Sequence, residues 1–164
     1  MDMSKLSTSD KVLAGSGIAL FVFSFFPWFG VDGYGGGRNG WDYFFFGIIP
    51  VLLGVAVATV VLLPLFMENF KLPKLPIPLG LALLITGGVA ALLVVLKVIV
   101  GDSVAVGFGV GDIDLDRQIG LFLSALAAIG LAAGGYLKFQ EGGGELPKKG
   151  GTSDTGSSGT PTPT

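Results

Sequence analysis

Four long apolar runs dominate the pattern of hydrophobic and polar positions along the chain. They cover residues 12–29, 43–66, 79–100 and 119–137, and each contains 18 to 24 residues. A helix needs roughly 20 residues to cross about 30 Å of hydrocarbon. Lys97 is the one charged residue within these runs. The pattern therefore predicts an all-α membrane protein, a bundle of four transmembrane helices.

Positively charged residues are distributed unequally between the segments that connect these runs. One side of the predicted bundle carries seven lysines, whereas the other carries only Arg38 and Arg117. Cytoplasmic loops of membrane proteins are enriched in Lys and Arg. We therefore expect a multi-pass protein of the plasma (cytoplasmic) membrane, with both termini in the cytoplasm and with residues 30–42 and 101–118 as outer loops. The seven lysines are Lys5, Lys11, Lys71, Lys74, Lys138, Lys148 and Lys149.

The two ends of the chain are more polar than the segment between them. Residues 1–11 form the expected cytoplasmic N-terminal segment, and residues 12–140 form the transmembrane domain. Residues 141–164 consist almost entirely of Gly, Ser, Thr, Pro and charged residues. Such a segment buries too little apolar surface to offset the entropy lost on ordering. We predict that it is a disordered cytoplasmic tail.

The two outer loops carry patterns typical of β-structure. In the first loop, two short arms flank a Gly-rich turn, and Asn39-Gly40 is a strong hairpin signal. In the second loop, large and small residues alternate over residues 104–110, as in a strand with one packed face. These patterns predict a small extracellular β-hairpin or sheet, built from both loops, that caps the bundle. An unstructured Gly-rich loop is the alternative.

Pairs of small residues four positions apart occur in every apolar run. Helices in lipid associate through close packing, and small residues allow their backbones to approach one another. We interpret the pairs as helix contacts, although chance is the alternative because Gly and Ala are abundant. Gly130/Gly134 is the best single candidate among the four pairs, which are Gly15/Ala19, Gly54/Ala58, Gly87/Ala91 and Gly130/Gly134.

The composition excludes several kinds of active site. The chain contains no Cys and no His. It therefore has no thiolate nucleophile, and it lacks the commonest metal ligand and acid–base catalyst. We predict that the protein has no catalytic residue, binds no cofactor and is not an enzyme. The net charge of −2 gives no electrostatic reason to expect nucleic acid as a partner.

Three carboxylates at alternate positions precede the fourth apolar run. On a strand, Asp112, Asp114 and Asp116 would share one face, where they could bind a hard cation. The spacing matches the start of an EF-hand loop, but Arg117 replaces its glycine and Leu123 replaces its final glutamate. A solvated polar face is the alternative interpretation. We predict no metal site and retain these three residues only as weak candidates.

Lys97 is an intramembrane charge in this scheme. Such a charge is by default a functional hypothesis, because it costs about 3 kcal/mol at the bilayer centre. However, Lys97 lies three residues from the end of its run, so its long stem can extend to the interface. It can also pair with Asp102, Asp42 or Asp116. A transport role is the alternative.

Residues that flank the first outer loop are candidates for the membrane interface. Trp28 and Trp41 lie near the predicted outer boundary, and Asp42 follows directly. Amphipathic Trp rings are enriched among lipid headgroups. We predict that these three residues belong to the outer interface.

The motifs that leave and re-enter the predicted membrane also carry a family resemblance. Phe26-Pro27-Trp28-Phe29 and Asn39-Gly40-Trp41-Asp42 resemble motifs of small four-span bacterial membrane proteins of actinobacterial type, whose function is unknown. The resemblance covers about residues 10–140, and it implies the fold but no activity. The layout is also similar to that of claudin-like proteins, whose outer loops build a β-sheet. The paired outer Cys residues of those proteins are absent here.

Together these features predict a non-enzymatic structural or interaction protein. It would act within the lipid bilayer by binding a protein partner, or copies of itself, through its helix faces or its outer cap. The alternative function is a small transporter or channel subunit that uses Lys97 and the acidic outer loop.

Overall fold

The computed structural model describes residues 4, 6–31, 37–67, 76–105 and 112–144 of the chain. This part is mostly helical, as expected, and its four long helices are α1 (Thr8–Phe23), α2 (Ile49–Phe66), α3 (Leu79–Val100) and α4 (Ile119–Glu141). Three segments in it are long and apolar enough to cross a membrane, namely Phe44–Phe66, Leu79–Val100 and Ile119–Glu141. The predicted disordered tail lies outside the described residues from position 145 onwards.

Helix α1 begins and ends earlier than the first apolar run. A capping box starts it, because the Ser7 hydroxyl accepts from the Asp10 N–H at 3.3 Å and the Asp10 carboxylate accepts from the Ser7 N–H at 3.2 Å. The helix ends at Phe23. Pro27 has no N–H and disfavours the helical conformation in the residue before it. The prediction of a helix through Phe29 is therefore wrong for its last part, where the chain turns and enters a strand.

Two small antiparallel sheets, one of three strands and one of two, lie at one end of the helices. A three-stranded antiparallel sheet has the order β2-β1-β5, in which β1 (Pro27–Gly30) is central between β2 (Gly37–Asn39) and β5 (Asp116–Arg117). A second antiparallel pair joins β3 (Ser103–Ala105) and β4 (Asp112–Asp114). The prediction of a small sheet built from both loops is confirmed. We call this end of the helices the sheet end, and the other end the opposite end.

Helices α1 and α2 meet at small residues. Gly54 and Ala58 of α2 face Gly17, where an added Cβ would lie 2.9 Å from the Ala58 Cβ. Gly15, which the sequence suggested as a helix-contact residue, has nothing within 4 Å of the position its Cβ would occupy. Ala19 is half-buried against the core. The α1 contact is therefore made by Gly17, because the buried face of α1 includes residue 17 and not residue 15.

Helix α4 packs against both α1 and α3 through further glycines. An added Cβ on Gly87 of α3 would lie 2.6 Å from the Leu131 carbonyl oxygen of α4. Gly134 faces Leu13 of α1, and Gly130 faces the Ser16 hydroxyl. Ala91, which the sequence paired with Gly87, is half-buried against the core. The helices approach closely at these positions, as van der Waals packing in lipid requires.

Candidate functional site at the sheet end

The main polar site of the described residues is built around Lys97, one turn before the end of α3. The Lys97 side chain is only 7% exposed. Its Nζ donates to the Gly101 carbonyl oxygen at 3.0 Å and lies 3.5 Å from Asp102 Oδ1. Of the three carboxylates that the sequence offered as partners, the structure thus pairs Lys97 with Asp102. The chain reverses at Gly101, where φ is +75° and glycine is favoured.

Three aromatic rings surround the same ammonium group. The Lys97 Nζ lies 4.1 Å from the ring centroid of Tyr43, 5.1 Å from that of Phe29 and 5.9 Å from that of Phe46. Rings within about 6 Å attract a cation through their quadrupoles, and more strongly when water is excluded. We call Phe29, Tyr43 and Phe46 the lysine cage. The carboxylate, the carbonyl and the cage together stabilise a cation buried at the end of a helix that is long and apolar enough to cross a membrane.

Tyr43 is positioned by an unusual entry into α2. Its carbonyl oxygen accepts from the N–H groups of both Gly47 and Ile48, each at 2.9 Å, and this begins a π-helical turn over Phe44–Ile48. Gly47 packs so closely on the Gly40 carbonyl that any Cβ would overlap it. Such turns are common at functional sites because they redirect side chains. Here the π turn places the Tyr43 ring over Lys97.

Asp102 connects the helices to both loops. Its Oδ2 accepts from Arg38 Nη1 of β2 at 3.0 Å and also from the Tyr43 hydroxyl. Partial burial alone would raise the pKa of Asp102, but the hydrogen bonds from Tyr43 and Arg38 and the charge of Lys97 hold that pKa below its usual value. The Arg38 pKa is raised mainly by its hydrogen bond to the same carboxylate. Asp102 is therefore ionised at neutral pH and fixes Lys97, Tyr43 and Arg38 around one point.

Arg117 closes the end of α3. Its Nε donates to the Val98 carbonyl oxygen at 2.6 Å, and its Nη2 donates to that of Ile99 at 3.3 Å. These carbonyls lie in the last turn, where no helical N–H remains for them, and a positive charge is favoured there by the helix dipole. Within the described ranges, Arg117 has no carboxylate at ion-pair distance.

A polar recess of about 470 Å³ opens beside this network. The sequence candidates Asp114 and Asp116 line it, whereas Asp112 lies in β4, next to β3. The described residues contain no group of three or more acidic side chains placed to bind a metal ion. The full lining of the recess is Lys97, Val100, Gly101, Asp102, Ser103, Asp114, Leu115, Asp116 and Arg117.

The residues assigned to the outer interface occupy three different environments. Trp28 is fully buried, donates its indole N–H to the Phe23 carbonyl at 3.3 Å and stacks on Tyr43. Its predicted location among headgroups is therefore wrong, because β1 is the central strand and directs this ring into the core. Trp41 is half-buried and lies edge-on to a Phe ring of α1. Asp42 is exposed, and its carboxylate accepts from the backbone of the turn before it.

A second ionic cluster, at the opposite end, was not found from the sequence. Lys138 of α4 lies 2.8 Å from Asp10 of α1 and 3.8 Å from Glu141. The Ser9 hydroxyl, which is fully buried, donates to Glu141 at 2.6 Å. This cluster joins the start of α1 to the end of α4. The α1 and α4 members of the cluster are more than 100 positions apart in sequence, so their contact becomes visible only when the helix packing is known.

Sequence reasoning also missed Arg38 and the lysine cage as parts of the site. The opposite charges of Arg38 and Asp102, one in each loop, were an available signal. No signal marked Phe29 or Phe46 among the many other Phe residues. Comparison with protein-family models, curated proteins and solved structures found no significant match for the chain.

Proposed function

We propose that this chain is a four-span, non-enzymatic membrane protein that holds a rigid cap outside the membrane to bind a protein partner or a second copy of itself. The observation that carries the proposal is the immobilised state of Lys97. A carboxylate and a carbonyl fix Lys97 to the second loop, and the three rings fix it to residues on either side of the first loop. A fixed cap of this kind offers a defined surface for recognition, which a flexible Gly-rich loop would not.

The packing of α1 against α4 supports a fourth crossing. At the opposite end, Ser9 and Lys138 connect the two helices, and at the sheet end β1 pairs with β5, which directly precedes α4. The 16 residues of α1 are about 24 Å long. The turn that follows carries the chain on to the sheet. The segment from α1 to β1 thus runs alongside α4, a helix long and apolar enough to cross a membrane.

The proposed orientation follows from charge. The opposite end and its flanking segments contain the seven lysines that the sequence groups on one side, so this end is cytoplasmic by the positive-inside rule. The sheet end is then outside, where Asp42, Asp114 and Asp116 present exposed carboxylates. An acidic outer surface favours a basic partner.

Cysteine labelling tests the number of spans and the orientation, because the chain has no native Cys. Single variants Asp42→Cys, Ser4→Cys and Gly144→Cys would be treated with a membrane-impermeant maleimide, in intact cells and after lysis. We expect D42C to react in intact cells, and S4C and G144C to react only after lysis. Reaction of both S4C and D42C in intact cells would show that α1 does not cross. Reaction of S4C and G144C in intact cells, with D42C protected until lysis, would show the reverse orientation.

Site-specific photocrosslinking tests the interaction role. A photoreactive amino acid at Asp42 or Ser103 of the cap is expected to give a discrete crosslinked species in native membranes. The same group at Ile85, an exposed apolar position of α3, serves as the control for contacts within the membrane. The cap crosslink should be lost when Lys97→Met loosens the cap. Absence of any cap crosslink, with the protein strictly monomeric, would reject the interaction role.

A transporter or channel subunit is the second candidate, because Lys97 lines a polar recess near the end of α3. Its partners weigh against this role, since a lysine that moves ions must exchange its contacts. Cation flux through vesicles containing the purified protein would decide the question. Flux that is present in the natural protein and lost in Lys97→Gln would establish the transport role, and the absence of flux would exclude it.

A further inference from the structure

We propose that the recess beside Lys97 binds a zwitterionic group that combines a phosphate with a primary ammonium, the chemistry of an ethanolamine phospholipid headgroup. The inference rests on the proposed insertion in a membrane. It adds to that function a ligand site at the junction between α3 and the strands.

The recess is lined by charged side chains of both signs. Two cations and three carboxylates face one small volume, but only Lys97 and Asp102 form an ion pair. Arg117 donates to two carbonyls and has no carboxylate partner, and Asp114 and Asp116 have no cation partner in the part of the chain that the structure describes. The recess thus contains unneutralised charges of both signs.

A ligand with a single charge would satisfy only part of this lining. A phosphate alone could bind Arg117 but would meet the carboxylates of Asp114 and Asp116. A divalent cation lacks a ligand set, since the described residues hold no group of three acidic side chains placed for it. A group that carries both charges can place phosphate oxygens near Arg117, with its fork of N–H donors, and an ammonium near the two carboxylates.

The primary ammonium is favoured over a quaternary one by hydrogen bonding. A primary ammonium has three N–H donors that carboxylates can accept, whereas a trimethylated nitrogen has none and is recognised by aromatic faces. The cage rings of this protein are already occupied by Lys97. The recess still offers the exposed carboxylates of Asp114 and Asp116, which match the N–H donors of a primary ammonium.

The size and position of the recess fit the headgroup of a lipid. Its volume of about 470 Å³ lies within the range of roughly 300–1,000 Å³ that is typical of small-molecule sites. Val100 forms part of its rim and is 70% exposed, and the neighbouring Ile99 is 68% exposed. Exposed apolar residues of a membrane helix therefore adjoin the polar recess. A lipid can place its headgroup in the recess and its acyl chains along this face.

Native mass spectrometry of the full-length protein in detergent micelles tests the proposal. The protein would be titrated with phosphatidylethanolamine, phosphatidylcholine and phosphatidylglycerol of the same chain length. We expect phosphatidylethanolamine to bind about tenfold more tightly than the other two, because each loses one set of charge-assisted hydrogen bonds. The Asp114→Asn/Asp116→Asn double variant should bind phosphatidylethanolamine and phosphatidylcholine equally. Asp42→Asn, an exposed carboxylate outside the recess, should keep the natural preference.

Further outcomes separate the sources of the ligand and overturn the proposal. Competition by water-soluble glycerophosphoethanolamine would identify the headgroup alone as sufficient, whereas binding of the lipid only would show that the acyl chains contribute. Equal binding of all three lipids, or a preference that survives in the double variant, would reject the site. The double variant changes only exposed carboxylates, and circular dichroism verifies its fold. Because the titration is done in micelles, its outcome is independent of the orientation found by cysteine labelling.

Discussion

Replacement of Lys97 by Met is the most direct test of the structure, because it removes the charge and retains a similar apolar length. The variant loses the 3.0 Å hydrogen bond to Gly101 and the 3.5 Å contact with Asp102, together with the attraction of the cage. The methionine side chain still fills the space between the rings. The effect therefore reports on the charge and not on a cavity.

The expected magnitude follows from these contacts. A hydrogen bond from a charged group contributes about 1.5–3 kcal/mol, and a desolvated cation–π contact contributes about 2 kcal/mol. Removing one member of a buried ion pair costs about 3–5 kcal/mol when the other is left alone. Asp102 keeps Arg38 and Tyr43, and the variant no longer has to desolvate an ammonium. We therefore expect a net loss of about 2–3 kcal/mol in the free energy of unfolding.

The fluorescence of Trp28 provides a local assay. Trp28 is fully buried and its ring centroid lies 6.3 Å from that of Tyr43. The comparison would be made in a Trp41→Phe background, because the chain has two tryptophans and this change leaves Trp28 as the single emitter. Unfolding of the purified protein by increasing mole fractions of SDS in a mild detergent would then be followed at the Trp28 emission. Lys97→Met should unfold at a lower fraction of SDS, with a red-shifted emission before the transition. Lys11→Met, on the exposed surface of α1, is the matched control and should change stability by less than about 0.5 kcal/mol.

A double-mutant cycle separates the cage from the ion pair. Combining Lys97→Met with Phe29→Leu, which changes a cage ring that has no polar group, should give a coupling energy of about 1–2 kcal/mol between the two positions. If Lys97→Met were as stable as the natural protein and left the emission of Trp28 unchanged, the ammonium would not be held as described. The proposed fixed cap would then lose its physical basis.

Three other predictions concern helix contact, pH and the opposite end. Gly87→Ala should destabilise the protein by about 1–3 kcal/mol because its Cβ would meet the α4 backbone, whereas the adjacent Gly88→Ala, with nothing within 4 Å, should be neutral or stabilising in thermal unfolding. The pKa of Asp102 is lower in the folded protein than in the unfolded chain. Its ionised form therefore stabilises the fold at every pH above its pKa in the unfolded chain, and this stabilisation is lost as the pH falls through its pKa in the folded protein. Unfolding midpoints should therefore show no loss from Asp102 between pH 7 and 5 and an acid loss below 3.8, the ordinary pKa of an aspartate, and Asp102→Asn should reduce this acid loss. Lys138→Met should lower stability by no more than about 1 kcal/mol, since its contact with Asp10 is partly exposed to solvent, and a loss comparable to that of Lys97→Met would contradict this.

The helices were predictable because their signal is local. Long runs of apolar residues, with Lys97 as their single charge, located α2, α3 and most of α4, since a segment in hydrocarbon must satisfy its backbone polar groups internally. The first run was misjudged at its end. Apolar character alone cannot distinguish a helix from a buried strand, and Phe29 belongs to a strand whose partners lie in two different loops.

The site was predictable only in part. Lys97 was conspicuous as a lone charge, and Asp102 was one of three carboxylates within its reach. The rings that complete the cage come from the residues after α1 and before α2, and their meeting depends on the π turn at Phe44–Ile48. The contact made by Gly17 was not predicted either, because the spacing of small residues does not specify which face of a helix meets its neighbour.

The central position of β1 has a consequence for how the chain assembles. One edge of this strand pairs with β2, which follows it closely, but the other pairs with β5, which is made only after α2 and α3. During synthesis, the N-terminal half therefore exposes an unpaired edge until the residues before α4 emerge. Two fragments divided between residues 67 and 76 should accordingly reassociate when coexpressed, since strand pairing and the contacts of α1 with α4 both bridge the division.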